Sequence, residues 1–291
     1  LCVTGVQTCA LPISYIRSLP RGTIEALEFA AVGVTIPNGQ RVAYAHAVED
    51  ALYRGEVTLY IDDGAGTAES VRAAIVGENL TEAFGGPPSG NTAVGGEVFL
   101  HTNYKPVRAS TYTLTRTPGG VQVEGTDYLF DKSSGQVKMT VPLLSGDVIT
   151  MDYVAYDGLI EEVQKVVDGD PEDRETYPGW RAAGVRVAVL APAVLQQVIT
   201  ANVQVAEGYT KGTALGGGAY TAGSVLEQVA QVISEYINSL GISGDVVRAE
   251  LIASIMGVPG VVNTSIVSPV GDVIILDDQL PRVVASNITL S

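Results

Sequence analysis

Cysteine is nearly absent from this chain. Its two cysteines, Cys2 and Cys9, lie in or beside residues 3–13, VTGVQTCALPI. That stretch reads as the translation of a DNA-sequencing adaptor and is set aside from fold reasoning, as any such scar is. A signal peptide would need a basic start and a continuous apolar core, and the stretch has neither. The natural fragment is then expected to begin near Ser14 or Tyr15, with its own N-terminus lost. The remainder has no disulfide framework, no thiolate nucleophile and no cysteine-based metal site, which suits assembly in a reducing cytoplasm.

Histidine and positive charge are also scarce. The two histidines, His46 in RVAYAHAVED and His101 in VFLHTNY, sit in strand-like patterns. Neither has a carboxylate at metal-ligand spacing. Lys and Arg total 17 against 32 Asp and Glu, for a net charge of −15. The basic residues form no run, so a phosphate backbone is repelled and nucleic-acid binding is not expected. No apolar run reaches the length of a membrane span. GxSxG, HExxH and GxxxxGK[ST] are all missing. The chain reads as soluble and globular, with enough residues for one large domain or two smaller ones.

What is present falls into three regions after residues 1–14. In the first, residues 15–96, Thr23 can cap a helix over IEALEFAAVG, ended by Gly33. Asn38-Gly39 marks a turn. Strands are expected over RVAYAHAVED and GEVTLYIDD, where Val57, Leu59 and Ile61 alternate with Thr58 and Tyr60. A helix is expected over AESVRAAIVG. GGPPSGNTAVGG, residues 85–96, is a flexible junction.

The second region, residues 97–156, holds short strand-like runs: EVFLHT, STYTLTRT, GVQVEG, DYLFD, GQVKMTV and DVITMDYVAY. Turn residues separate them. This spacing predicts an inserted all-β module, a small sandwich or barrel.

The third region, residues 157–291, opens with a helix over LIEEVQKVVDG. The acidic DPEDRETYPGWR follows, a solvated loop or, as a sharper alternative, a calcium site. Asp168, Asp170, Glu172 and Asp173 lack the glycine and distal glutamate of an EF-hand loop, and Pro171 interrupts them. VRVAVLAPAVLQQVITANVQVAEGY predicts two strands or one long bent strand, broken or bulged at Pro192. Ser224 and Glu227 form a capping box. After it, Val225, Leu226, Val229, Val232, Ile233, Tyr236, Ile237 and Leu240 share one face, and Gly241 ends the helix. Asp245 can cap a second helix with Val247, Leu251, Ile252 and Ile255 inward, stopped by Gly257. The strands GVVNTSIV and DVIILDD, joined at Ser268-Pro269, complete the unit.

The order helix, Gly-Val, strand, turn, strand, acidic turn occurs in the first region and again near the C-terminus. Duplicated halves of this kind predict antiparallel sheets with helices on one face. The fold class expected is α+β: two α/β pieces with antiparallel sheets and helices, plus the inserted β-module.

Three segments of the third region carry a resemblance: GVRVAVLAP with ITANVQVAEGY, INSLGISGDVVRAELIASIMGVPGVVN, and QLPRV. They resemble the baseplate J-like family, wedge proteins of contractile phage tails of the Mu-like and T4-like kinds. The resemblance is good over residues 157–291 and moderate over residues 22–66, through GTIEALEFAA and GEVTLYIDDGAG. The β-module departs from the family pattern, and the family's N-terminal arm is replaced by the adaptor segment. The resemblance implies a structural wedge component, located in the tail baseplate of the virion and assembled in the host cytoplasm. It implies partners among other wedge, hub and tail-fibre-attachment proteins, self-association in a ring, and transmission of the contraction trigger. No catalytic, cofactor-binding or metal residue and no cofactor is expected.

Other readings of the residues stay open. A hydrolase would use paired carboxylates, Asp62 with Asp63 or Asp277 with Asp278. Adjacent strand residues point to opposite faces, so turn chemistry suits them better. A glycan- or receptor-binding role would use Tyr104, Tyr112, Tyr128, Tyr153 and Tyr156 as stacking faces, though tyrosine also packs across strands. Gly216–Gly218 is followed by no Lys-Ser/Thr pair, so a flexible connector, hinge or contact loop is expected rather than a phosphate loop. For an assembly protein, contacts are expected on exposed strand edges and in the helical pair after Ser224.

Overall fold

The structure, a computed structural model, describes residues 22–52, 55–82, 93, 95–170 and 173–291. The adaptor-like segment, both cysteines and most of the Gly85–Gly96 junction lie outside the described residues. The described chain is α+β, with strands outnumbering helices. It divides into two compact units. Among the described residues, one takes in those up to Val42 and those of Ala47–Leu59 and Ala68–Leu190. The other joins Ala43–His46 and Tyr60–Thr67 to Ala191–Ser291.

The first unit begins with α1 (Ile24–Val32), which turns Ala26, Leu27, Ala30 and Ala31 inward. The Thr23 hydroxyl accepts from the Ala26 N–H at 3.2 Å, so the expected cap is present. Strands β1 (Tyr44–Glu49) and β2 (Glu56–Asp62) follow, and Val57, Leu59 and Ile61 are the buried apolar positions of the alternation in β2.

The helix expected over AESVRAAIVG does not form. Val71 makes an isolated bridge to Tyr156, and the chain then enters β3 (Ile75–Asn79). Val71, Ile75 and Val76 are β-branched, and an antiparallel partner decides in favour of extended chain. β4 (Thr81–Glu82), β5 (Phe99–His101), β6 (Val107–Thr117), β7 (Gly120–Val121), β8 (Tyr128–Asp131), β9 (Gln136–Met139) and β10 (Val148–Ala155) complete the β-rich part. Of GVQVEG only the first two residues are strand.

Two four-stranded antiparallel sheets result, in the orders β3-β10-β6-β7 and β4-β5-β9-β8. In the first, Met151 stands opposite Leu114 and Tyr153 opposite Tyr112. Leu114, Ile149, Met151 and Tyr153 share one core with Leu100, Tyr128, Phe130, Val137 and Met139 of the second sheet. Two inner faces filling one core is the logic of a sandwich.

Then come α2 (Gly158–Asp168) and β11 (Arg186–Leu190), the latter joining the sheet β1-β2-β11. Buried Gln164 mimics a strand neighbour for β11. Its amide donates to Val187 O at 2.8 Å and accepts from Val189 N at 2.9 Å.

Where two strands or one long bent strand had been expected there are three: β11 ends the first unit, and β12 (Ala193–Gln196) and β13 (Ile199–Val205) open this stretch of the second. Pro192 supplies no donor, and the ladder breaks there. The hairpin β14 (Ala214–Gly216) and β15 (Ala219–Tyr220) precedes α3 (Val225–Ser239). The unit closes with α4 (Arg248–Met256), β16 (Val261–Ser268), β17 (Gln279–Arg282), a 3-10 turn and β18 (Ile288–Leu290). Sheet β16-β13-β18 has β13 central, antiparallel to β16 and parallel to β18; β12 and β17 form a parallel pair.

Ser224 caps α3 as expected, its hydroxyl accepting from Glu227 N at 3.3 Å. The Glu227 carboxylate returns to Gly223 N at 2.6 Å rather than to Ser224. Val225, Leu226, Val229, Ile233 and Ile237 of α3 and Leu251 and Ile255 of α4 bury against Ile199, Ala201, Val203, Ile266, Ile288 and Leu290.

Two expectations fail here. Asp245 does not cap α4: the Asp272 carboxylate accepts from Arg248 N at 2.8 Å, while Asp245 accepts from Ile275 N. DVIILDD is not a strand; Val273 makes one bridge to Val246, and β16 pairs with β13 instead. The internal echo therefore stops at β16.

Candidate interaction surface

The residues singled out for chemistry serve the fold. Asp62 is 1% exposed and pairs with Arg282, whose Nη2 lies 3.0 Å from Oδ2. Burial pushes its carboxyl upward, against the lowering pull of Gly64 N–H and Arg282. Asp63 accepts from Ala65 N, Thr67 N and Thr67 Oγ1. Asp277 accepts from Ser243 Oγ at 3.2 Å and lies 3.7 Å from His46 Nε2. These are turn and tethering contacts. His101 is half-buried beside Gln136, and burial, then Lys105, lowers its pKa.

The five tyrosines do not form a stacking platform. Tyr128, Tyr153 and Tyr156 are buried. Burial raises the Tyr128 pKa to about 12, and burial followed by the Glu78 hydrogen bond raises Tyr153. Tyr112 packs edge-on against Phe130 and donates to Glu124. Tyr104, 42% exposed, carries the Arg72 guanidinium at 4.8 Å from its ring centre.

The acidic loop is occupied by cations of the chain. Asp168 meets Arg181 at 2.9 Å and Asp170 meets Lys165 at 3.0 Å, while Asp173 accepts from Thr176 N. Glu172 lies outside the described residues. Among the described residues no His, Cys, Asp and Glu cluster is arranged to hold a metal, and no helix is long and apolar enough to cross a membrane.

Gly216–Gly218 is the tip of the β14–β15 hairpin, neither a connector nor a phosphate loop. Gly218 has φ +82°, and a Cβ there would meet Ala285 O at 1.9 Å, so only glycine fits this approach. Leu215 beside it is 67% exposed.

The surface of the C-terminal unit differs from the expected one. The apolar stripes of α3 and α4 are spent on the core. The outer edges of the sheet carry side-chain partners. Tyr220 OH donates to Ile288 O at 3.0 Å and accepts from Leu290 N at 2.8 Å, occupying β18. Arg248 Nη2 donates to Ile266 O at 3.0 Å on β16. Such occupation discourages strand addition. What stays open is the outer sheet face. Asn202, Gln204, Asn263, Ser265, Val267 and Thr289 are exposed there, and none is charged. In a chain of net charge −15 this is an unusual area, and depletion of charge is a property of interface centres. The loop after β16 adds exposed Val270, Ile274 and Leu276.

The C-terminal unit is thus a packed α+β unit with a charge-free outer sheet face. Residues 198–291 match the model of the Baseplate J-like protein C-terminal domain family. Roughly the last third of the chain is therefore similar to the C-terminal domain of Baseplate J-like proteins. No curated protein matches the chain.

Proposed function

We propose that the chain is a wedge component of a contractile tail baseplate, which joins neighbouring baseplate proteins and passes on the trigger for sheath contraction. The match of residues 198–291 to the Baseplate J-like C-terminal domain carries this reading. Its partners are other wedge, hub and tail-fibre-attachment proteins and further copies in a ring, assembled in the host cytoplasm. The physical features that support it are the charge-free sheet face and the exposed Leu215 hairpin, set on an otherwise acidic chain. The candidate carboxylates and tyrosines are taken up by turns, ion pairs and core packing, which favours a structural role over a hydrolase or a glycan binder.

Sequencing the DNA on both sides of this reading frame tests the proposal. Neighbouring genes for sheath, tube, tail fibre or a small lysozyme-like wedge protein are the expected result. A metabolic neighbourhood would contradict it.

A further inference from the structure

α3 ends at Ser239 with no basic residue in its last turn, so its final carbonyls need partners from elsewhere. Tyr44 OH donates to Ser239 O at 3.0 Å. Arg282 Nη1 donates to Leu240 O at 2.9 Å. The other arm of the same guanidinium reaches Asp62 Oδ2 at 3.0 Å and Gly64 O at 3.3 Å. Its Cζ stands 5.9 Å from the Tyr44 ring centre, and Tyr44 lies so close to Gly241 that a Cβ there would meet Cδ1 at 3.2 Å. Gly66 fits equally closely against Val194, where a Cβ would meet Cγ2 at 3.3 Å. One arginine thus gathers the turn after β2, the end of α3 and strand β17.

Arg282 is 5% exposed and Asp62 1%. Asp62 Oδ1 and Arg282 Nε have no hydrogen-bond partner among the described residues. A buried ion pair with unsatisfied atoms contributes little net stability, and its better-attested use is to fix one arrangement. The family match begins at residue 198, so it holds Arg282 but not Tyr44, Asp62 or Gly64. We propose that the C-terminal unit is a composite: Arg282 is a positioning residue that latches residues 43–46 and 60–67 onto it, and residues 198–291 do not make the complete module. The inference does not rest on where the protein resides in a particle.

Hydrogen exchange on the full chain, read by mass spectrometry, tests it. Asp62→Asn and Arg282→Met are each expected to speed exchange of residues 60–67 at least tenfold. Peptides over β13 and β16 stay protected, and the double variant exchanges no faster than the faster single. Parental exchange over residues 60–67 in both singles, or effects that multiply as for independent sites, would overturn the proposal. Where Arg282→Met unfolds the whole unit, Arg282→Lys decides. It keeps the charge but loses the fork. Faster exchange confined to residues 60–67 supports the latch, and a parental rate refutes it.

Discussion

Single side chains here mostly finish backbone accounts that the ladders leave open. Tyr220 is the clearest case, since its one hydroxyl serves both Ile288 O and Leu290 N. Tyr220→Phe removes that partner from two buried backbone groups. It should cost about 1–3 kcal/mol in urea unfolding; an unchanged midpoint would mean that the edge is wetted without loss. Asp147 works similarly in the β-module. Leu144 N–H, and then Arg116 at 2.5 Å, hold its carboxyl below the usual range. A lowered folded pKa stabilises fully above the unfolded value of about 3.9 and is lost as pH falls through the folded one. Asp147→Asn should therefore be less stable than the parent at pH 7, with the gap closing below about pH 4. A gap independent of pH would contradict this. At this scale the sequence was readable where partners are local. Thr23 and Ser224 sit three residues from the amides they cap. Arg282 and Asp62, far apart in the chain, gave no local signal.

Among the elements, cap and stop signals located α1, one-sided spacing behind a capping box located α3, alternation located β2, and turn residues marked off most strands of the β-module. The failures share one cause. AESVRAAIVG has a helical composition, yet β10 offers Ile75–Asn79 a ladder, and pairing outweighs propensity. DVIILDD has a strand composition, yet its neighbour β16 is already paired with β13. The cap of α4 shows the same limit: Asp272, 24 residues away, holds Arg248 N, and Asp245 is engaged elsewhere. Asp272→Ala should destabilise the C-terminal unit by about 0.5–2 kcal/mol. Chemical denaturation followed at α4 would reveal it, and no loss would return the capping role to the backbone. Ile233, wholly buried in the α3 stripe, should cost about 2–5 kcal/mol when cut to alanine. A cost under about 1 kcal/mol would mean that the core collapses to fill the space.

At the level of the molecule, the acidic balance and scarce histidine narrowed the function before any fold was known. Which surface stays open was not legible. Apolar residues on α3 read equally as core or contact, and only the packing assigns them to core. The outer sheet face of Asn202, Ser265 and Val267 drew no notice in the sequence because alternating polar residues are ordinary there. Val267→Asp is a substitution of a half-exposed side chain and should leave stability within about 0.5 kcal/mol. If that face docks a neighbour, the variant folds but fails to enter particles. Normal incorporation would move the contact elsewhere. The central claim, that this is a baseplate protein, is tested most directly by locating the chain in purified tails. Mass spectrometry of intact particles, with antibodies against the C-terminal unit imaged by electron microscopy, should find it and label the end of the tail away from the head. Particles that assemble and contract without the protein would contradict the account.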